Sequence, residues 1–255
     1  MLKNLLKLTI RNLVKNRTYV IINIVGLGLS LACCIVAYLN YDFGMSFDQN
    51  HKNLESIYKV HSHKIIEGNV LTYGITPMAL GAAIKGKSTA ITKQSRYVGY
   101  DLTILKGNRA LQKSVGCVES DYLDIFTYPL KYGDKNSINE KGNIIISEEL
   151  SEILFGEGVN SVGQLVKVDQ QGNTISFIVG GVLEKIPQNT SMQFQGIINL
   201  EHYYDFAETE SNDWKRFIAG TFMMIEDKSK VAEVEKMLQS YIGVQNNARK
   251  DWLIS

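Results

Sequence analysis

Tyr19–Leu39 reads Y-V-I-I-N-I-V-G-L-G-L-S-L-A-C-C-I-V-A-Y-L. The stretch carries no charge, and only Asn23 and Ser30 are plainly polar. A helix needs about twenty such residues to cross the hydrocarbon core of a bilayer. It also satisfies its own backbone donors and acceptors, so lipid imposes no penalty on it. Five cations, Lys3, Lys7, Arg11, Lys15 and Arg17, precede the stretch with no acid among them, whereas Asp42 and Asp48 follow it. This asymmetry predicts a cytoplasmic N-terminus and an exported body, with the cations setting orientation and meeting the inner leaflet. The organisation expected is therefore a cytoplasmic interfacial helix over residues 1–18, a transmembrane helix over 19–39 and an extracytoplasmic domain over 40–255.

A cleaved signal peptide is the rival reading, but its apolar region would be shorter and end at small residues. Tyr38, Asn40 and Tyr41 offer no such site. Lipoprotein processing at Cys33 or Cys34 fits no better, since Ser30 stands where leucine is expected. The retained anchor is the reading adopted. Leu2, Leu5, Leu6, Ile10, Leu13 and Val14 recur at spacings of three and four, predicting an amphipathic helix in the interface. Within the span, Gly26 and Ser30, and Gly28 and Ala32, are four apart. Small residues at that interval let a neighbouring membrane helix approach closely.

The totals exclude several classes. A composition of 45% hydrophobic and 21% charged residues suits a globular body with a core. A net charge of +1 gives nucleic acid no global electrostatic attraction. Only Cys117 lies in the exported body, so no disulfide framework exists there, and a buried thiol is expected.

Along the body, a strand is expected from Ile57 to Ile66, turning at Glu67-Gly68-Asn69 and returning over Val70–Ile75. Thr76 is read as the cap and Pro77 as the first residue of a helix running to Lys85 and stopping at Gly86. Strands follow over Gln94–Leu105 and Ala110–Val118, joined across Gly107-Asn108, with a helical turn over Ser120–Phe126. After a strand at Asn143–Ile146, Ser147 caps a helix ending at Gly156. A hairpin turns at Asp169–Gly172 between Gln164–Val168 and Thr174–Leu183. A strand at Phe217–Ile225 precedes a last helix from Ser229, with Val231, Val234, Leu238, Tyr241 and Ile242 on one face. Strands and helices in irregular alternation indicate an α+β body.

Candidate chemistry is sparse. Residues 81–88, G-A-A-I-K-G-K-S, match the phosphate-binding loop pattern letter for letter. That loop needs a strand before it and a helix after it, whereas Pro77–Leu80 reads as a helix start, so the match is taken as chance. His61 and His63 would share a strand face, yet no further ligand type clusters beside them. Asn189-Thr190-Ser191 has the form of a glycosylation sequon. No nucleophile-and-base pattern is found, so no catalytic, cofactor-binding or metal residue is assigned.

Several segments resemble the N-terminal part of MacB/FtsX-like ABC transporter permeases. They are the opening L-K-L-T-I-R-N-L-V-K-N-R, the span N-I-V-G-L-G-L-S-L-A-C-C, and the exit Y-D-F-G-M-S-F-D-Q-N-H-K-N-L-E-S-I-Y-K-V. Later segments, V-E-S-D-Y-L-D-I-F, N-I-I-I-S-E-E-L-S-E-I-L-F-G and V-G-G-V-L-E-K-I-P-Q-N-T-S-M-Q-F, are similar to that family's periplasmic core domain. The resemblance implies an N-terminal transmembrane helix followed by a two-lobed extracytoplasmic mixed α/β domain. One lobe has β-α-β units, and the second is inserted at about residues 115–200. Phe47, Tyr58, Phe126, Phe155, Val182 and Pro187 are expected in its core or turns.

The resemblance also implies a non-catalytic permease subunit of the bacterial inner membrane. Such a subunit works with a separate cytoplasmic ABC ATPase and a second permease copy, coupling ATP hydrolysis to export or mechanotransmission toward periplasmic cargo or a periplasmic partner. The family continues into at least three further spans, so a chain ending at Ser255 is expected to be a fragment. A self-standing single-span binding or sensor protein is the alternative, and a membrane-anchored enzyme the third.

Overall fold

The uncharged stretch is helical throughout. Helix α1 covers Leu2–Lys15 and α2 covers Arg17–Met45, separated by Asn16, whose backbone leaves the helical region. The structure, a computed structural model, describes residues 2–66, 69–107, 109–170 and 172–250. Two units are distinguished, one ending at Phe47 and one beginning at Asp48. At 29 residues, α2 is about 43 Å long. It is the one helix among the described residues long and apolar enough to span a bilayer. It continues six residues past Leu39, because no helix breaker intervenes before Gly44. Asn40 even turns its amide back to the Val36 carbonyl at 2.8 Å.

The second unit starts with β1 (Ile57–Lys59), the hairpin β2 (Ser62–Ile66) and β3 (Asn69–Tyr73), the short β4 (Thr76–Pro77) and α3 (Met78–Ile84). Then come β5 (Lys93–Lys106), β6 (Arg109–Val118), α4 (Tyr122–Ile125), β7 (Leu130–Gly133), β8 (Asn143–Ser147) and α5 (Glu148–Phe155). The chain continues through β9 (Leu165–Gln170), β10 (Asn173–Leu183), β11 (Gly196–Asn199) and α6 (Glu201–Phe206). It closes with β12 (Phe217–Ile218), β13 (Gly220–Met224), α7 (Val231–Gln239) and α8 (Ile242–Ala248).

Among the described residues, nine strands form one mixed sheet in the order β1-β13-β5-β6-β11-β8-β10-β7, with β9 paired to both β10 and β5. Both β1 and β5 pair antiparallel with β13, so they run in the same direction, and α3 lies between them in sequence. That is a split β-α-β arrangement closed by the returning strand. The four strands beyond β6 all come from the segment between β6 and α6. There β8 and β10 pair parallel across α5, and β11 pairs parallel with β6.

The period-two pattern buries both faces. Val98, Cys117, Ile144, Ile146, Val182 and Ile198 join one apolar cluster, whereas their neighbours Tyr97, Val118, Ile145, Leu183 and Ile197 join another. Successive side chains of a strand point to opposite faces, so the runs I-I-I and V-L feed two cores at once. A third cluster sets Leu80 and Ile84 of α3 against Met223, Ile225 and Val234 of α7. Each such aliphatic side chain contributes about 1.5–3 kcal/mol when fully buried.

Several local expectations are corrected. Thr76 does not cap α3. It is fully buried, its hydroxyl lies 2.9 Å from that of Thr221, and Pro77 occupies the cap position instead. The strand expected over Ile57–Ile66 is broken at Val60 and His61, because β1 joins the main sheet and β2 pairs with β3 in a separate two-stranded sheet. The strand expected over Phe217–Ile225 is likewise divided, since β12 follows β4 while β13 follows β5. The last helix breaks at Ser240, whose hydroxyl folds back to the Met237 carbonyl at 2.6 Å and competes with the backbone. Ser147 does cap α5, accepting from the Leu150 amide at 3.1 Å, and the helix stops at Gly156 with φ +106°. The turn residues Glu67, Gly68 and Asn108 lie outside the described residues, as does Gln171 of the later hairpin.

The phosphate-loop lookalike has a structural explanation. Gly81 lies inside α3, and Gly86, Lys87 and Ser88 follow that helix rather than precede one. A Cβ at Gly81 would stand 2.5 Å from Cδ of Arg96. Arg96 is 4% exposed and cannot give way, because Nη2 donates to Glu119 at 2.8 Å and Nη1 to the Met78 carbonyl at 3.0 Å. Glycine is therefore needed at position 81 to seat a buried arginine, not an anion. Gly81→Ala is expected to cost about 1–3 kcal/mol through overpacking. Glu119→Ala, which strands the buried guanidinium, should cost about 3–5 kcal/mol. Urea unfolding of the chain in detergent measures both, and an unchanged midpoint for either would refute the packing described.

Candidate functional site

The chain leaves α2 at Met45, and Ser46 and Phe47 lead to Asp48. Asp48 has φ +59°, a left-handed conformation that few residues other than Gly, Asn and Asp adopt. The turn aims both its amide and its carboxylate at one loop, Asn189–Ser191. The Asp48 amide donates to the Asn189 carbonyl at 2.9 Å. Oδ1 accepts from Thr190 Oγ1 and from the Ser191 amide, each at 2.8 Å, and Oδ2 accepts from Ser191 Oγ at 2.5 Å. The loop is braced from within, since the Gln193 carboxamide donates to the Pro187 carbonyl at 2.9 Å and to the Thr190 carbonyl at 3.3 Å.

Three residues further on, His51 is 5% exposed and fixes the same segment to α4 and the chain after it. Its Nδ1 accepts from the Thr127 amide at 3.1 Å, so the neutral ring carries its proton on Nε2. The ring stands edge-on to Phe126 and Tyr128, with centroids 5.1 and 5.4 Å away. The Lys52 amide donates to Thr127 Oγ1 at 3.0 Å, and Asn53 Nδ2 to the Asp124 carbonyl at 3.2 Å. The first six residues of the second unit are thus clasped from two sides.

The electrostatics follow from this geometry. Partial burial alone would raise the Asp48 carboxyl, but the bonds from Ser191 and Thr190 outweigh it and hold the group below its ordinary 3.8. Burial pushes His51 below its ordinary 6.5, against the opposing pull of Asp48. Burial likewise pushes the Cys117 thiol up to about 12, so it is neutral and unreactive at physiological pH.

The clasp was not singled out from the sequence. Its two halves sit in the segments quoted for the family resemblance, and N-T-S, read as a sequon, supplies four of its polar groups. Of the expected core and turn residues, Phe126 and Val182 are buried, and Tyr58 and Phe155 pack against apolar clusters. The Pro187 carbonyl holds the Gln193 brace, while Phe47 is 37% exposed. The residues expected to meet the membrane or its surface lie on the first unit. Gly26, Gly28, Ser30 and Ala32 are exposed on α2, with open space around both glycines, and Ser30 donates to the Gly26 carbonyl at 2.8 Å. Lys7, Arg11 and Lys15 recur every fourth residue on α1, forming an exposed stripe, and Arg17 opens α2. Lys3 belongs to α1, but its side chain lies outside what is described. His61 falls before β2, so it does not share a strand with His63, whose Nδ1 lies 3.0 Å from Thr72 Oγ1.

Asp48→Ala removes the acceptors and strains the left-handed turn, and should cost about 2–4 kcal/mol. Asp48→Asn, which tolerates that backbone and keeps one acceptor oxygen, should cost less than half as much. Both groups bind protons more weakly folded than unfolded, so their stabilisation is present at neutral pH and lost as pH falls. Loss should begin below 6.5 through His51 and continue below 3.8 through Asp48. Thermal melting against pH, with and without Asp48→Ala, checks the sign. A melting temperature that rises on acidification would contradict it.

Comparison with known proteins agrees with this architecture. The family described as MacB-like periplasmic core domain matches residues 20–241. A domain of a permease protein from Porphyromonas gingivalis superposes with a TM-score of 0.62 at 17% identity, covering 81% of this chain and 89% of that one. The periplasmic region of MacB from Actinobacillus actinomycetemcomitans gives 0.55 at 14% identity, covering 80% and 92%. The extracellular domain of the noncanonic ABC-type transporter YknZ from Gram-positive bacteria gives 0.53 at 14% identity, covering 78% and 100%. A search of curated proteins finds no match. At these identities the superpositions speak for the fold alone. The family match runs from inside α2 to the break between α7 and α8, and the chain accordingly belongs to the MacB-like periplasmic core domain family, the extracytoplasmic part of ABC transporter permeases.

Proposed function

We propose that this chain is the anchor and periplasmic domain of a permease subunit that carries work from a separate cytoplasmic ABC ATPase to the outside of a bacterial inner membrane. The observation that carries the reading is the clasp at Asp48, which ties the residues just after a membrane-length helix into the folded domain. A flexible linker there would dissipate any displacement of the helix. A turn held by four hydrogen bonds passes it on. The domain itself does no chemistry in this reading. It changes position and acts on exported cargo or a periplasmic partner. The segment 115–200, which supplies the far strands of the sheet, acts as the inserted lobe, and residues 40–255 as the periplasmic body.

Orientation in this reading comes from Lys3, Lys7, Arg11, Lys15 and Arg17, which stay at the inner leaflet among anionic headgroups. Gly26, Gly28, Ser30 and Ala32 form the close-packing face toward other membrane helices, including those of a second permease copy. A single-span binding or sensor protein is the second reading, favoured by a cavity in the domain large enough for a small ligand.

Purification of the protein from its native membranes in mild detergent, followed by mass spectrometry, separates the two. Co-purification of an ATPase carrying its own nucleotide-binding motifs is expected. A protein that emerges without one would contradict the permease reading and favour the sensor. Gly28→Ile, which fills the small-residue face, should weaken self-association in detergent about tenfold or more. Unchanged association would place the helix contact elsewhere.

A further inference from the structure

His51 meets the rest of the domain through two ring nitrogens, and only one is satisfied. Its Nδ1 stands 3.1 Å from the Thr127 amide nitrogen. A backbone N–H can only donate, so Nδ1 offers a lone pair there and the ring proton sits on Nε2. That Nε2 is buried and has no hydrogen-bond partner. It lies 4.0 Å from Asp48 Oδ1, beyond hydrogen-bond reach. The imidazole is 2% exposed, so water screens neither nitrogen.

This arrangement suits the neutral ring and not the imidazolium. Both nitrogens of a protonated histidine are donors. An Nδ1–H would confront the Thr127 N–H, donor against donor, and the bond is lost. The added charge is drawn the other way, toward the Asp48 carboxylate. A charge-assisted N–H···O bond is about 2.8 Å long, so the ring must move by about 1 Å to make it. That movement withdraws Nδ1 from Thr127. One ring cannot serve both partners once it is charged.

Among the described residues, Asp48 is the one ionised group that bears on the ring. Phe126 and Tyr128 pack edge-on against it, and burial raises the Tyr128 phenol, which stays neutral. On α4, the Asp124 carboxylate is taken by Lys93 and Lys135. The side chain of Lys52 is turned to solvent. Acid therefore reaches the two halves of the clasp in order. His51 takes its proton below 6.5, whereas the bonds from Ser191 and Thr190 keep Asp48 ionised to below 3.8. We propose that His51 is an acid-released latch: its protonation frees it from Thr127 while Asp48 keeps Asn189–Ser191, so that a segment clasped from two sides at neutral pH is held chiefly from one in mildly acidic surroundings. The latch is built from contacts within the second unit, and it stands or falls separately from the permease reading.

The test uses the full chain in detergent, labelled with 15N-threonine or 15N-serine. Amide exchange is followed by NMR at about pH 7.5 and about pH 4.5 and expressed as protection, which removes the intrinsic pH dependence of exchange. The Thr127 and Ser191 amides are identified by the loss of their signals in Thr127→Val and Ser191→Ala. Protection of the Thr127 amide should fall at least about tenfold in acid, while that of Ser191, bound to Asp48 Oδ1, changes less than about twofold. His51→Asn sets an amide oxygen near the place of Nδ1 and takes no proton, so Thr127 should then be equally protected at both pH values. Undiminished Thr127 protection in the parent at the lower pH would overturn the proposal. So would a Ser191 amide that opens together with Thr127, because the clasp would then release as one. Acid opening of Thr127 that persists in His51→Asn would place the titrating group elsewhere and overturn it too.

Discussion

The carboxylate of Asp48 is the constraint on which the arrangement of the second unit's entry depends. One side chain accepts three hydrogen bonds from Thr190 and Ser191 while its own amide is bound by Asn189. The partners are more than 140 positions away in sequence, at the exit of β10 and the approach to β11. The bond network therefore joins the start of the domain to the segment that supplies the far strands of the sheet. His51 extends the same fixation to α4 and, through Phe126 and Tyr128, to the aromatic core beneath the sheet. Charge-assisted bonds of this kind are shorter and stronger than neutral ones. They are concentrated at the first residues of the second unit.

Much of the fold was legible because it rests on period and punctuation. The uncharged run fixed a helix, the alternating apolar residues of Gln94–Leu105 and Ala110–Val118 fixed two paired strands, and Ser147 with Gly156 bounded α5. What failed was what tertiary pairing decides. Nothing local in Ile57–Ile66 announces that its first half belongs to one sheet and its second half to another. Phe217–Ile225 reads as a single strand until β4 and β5 compete for its two ends. Thr76 has the chemistry of a cap but spends its hydroxyl on Thr221, a partner 145 positions away.

The clasp was illegible for the same reason. Asp48 and Asn189-Thr190-Ser191 are each unremarkable loop residues, and only folding brings a carboxylate to three donors. The phosphate-loop pattern shows the converse hazard. Its letters are all present, yet Gly81 answers to the buried Arg96–Glu119 pair, and the strand-loop-helix order that gives the motif its chemistry is reversed. Local spelling carries function only where topology supplies the backbone to match.

The central claim, that the first residues of the second unit are held within its fold, is tested most directly by native-state hydrogen exchange over residues 48–54 of the chain in detergent. The amides of Asp48, His51, Lys52 and Leu54 are all hydrogen-bonded within the unit. Protection comparable to that of β5 and β6 is the result this account requires. Exchange within seconds across that stretch, while the sheet remains protected, would show a free tether and contradict it.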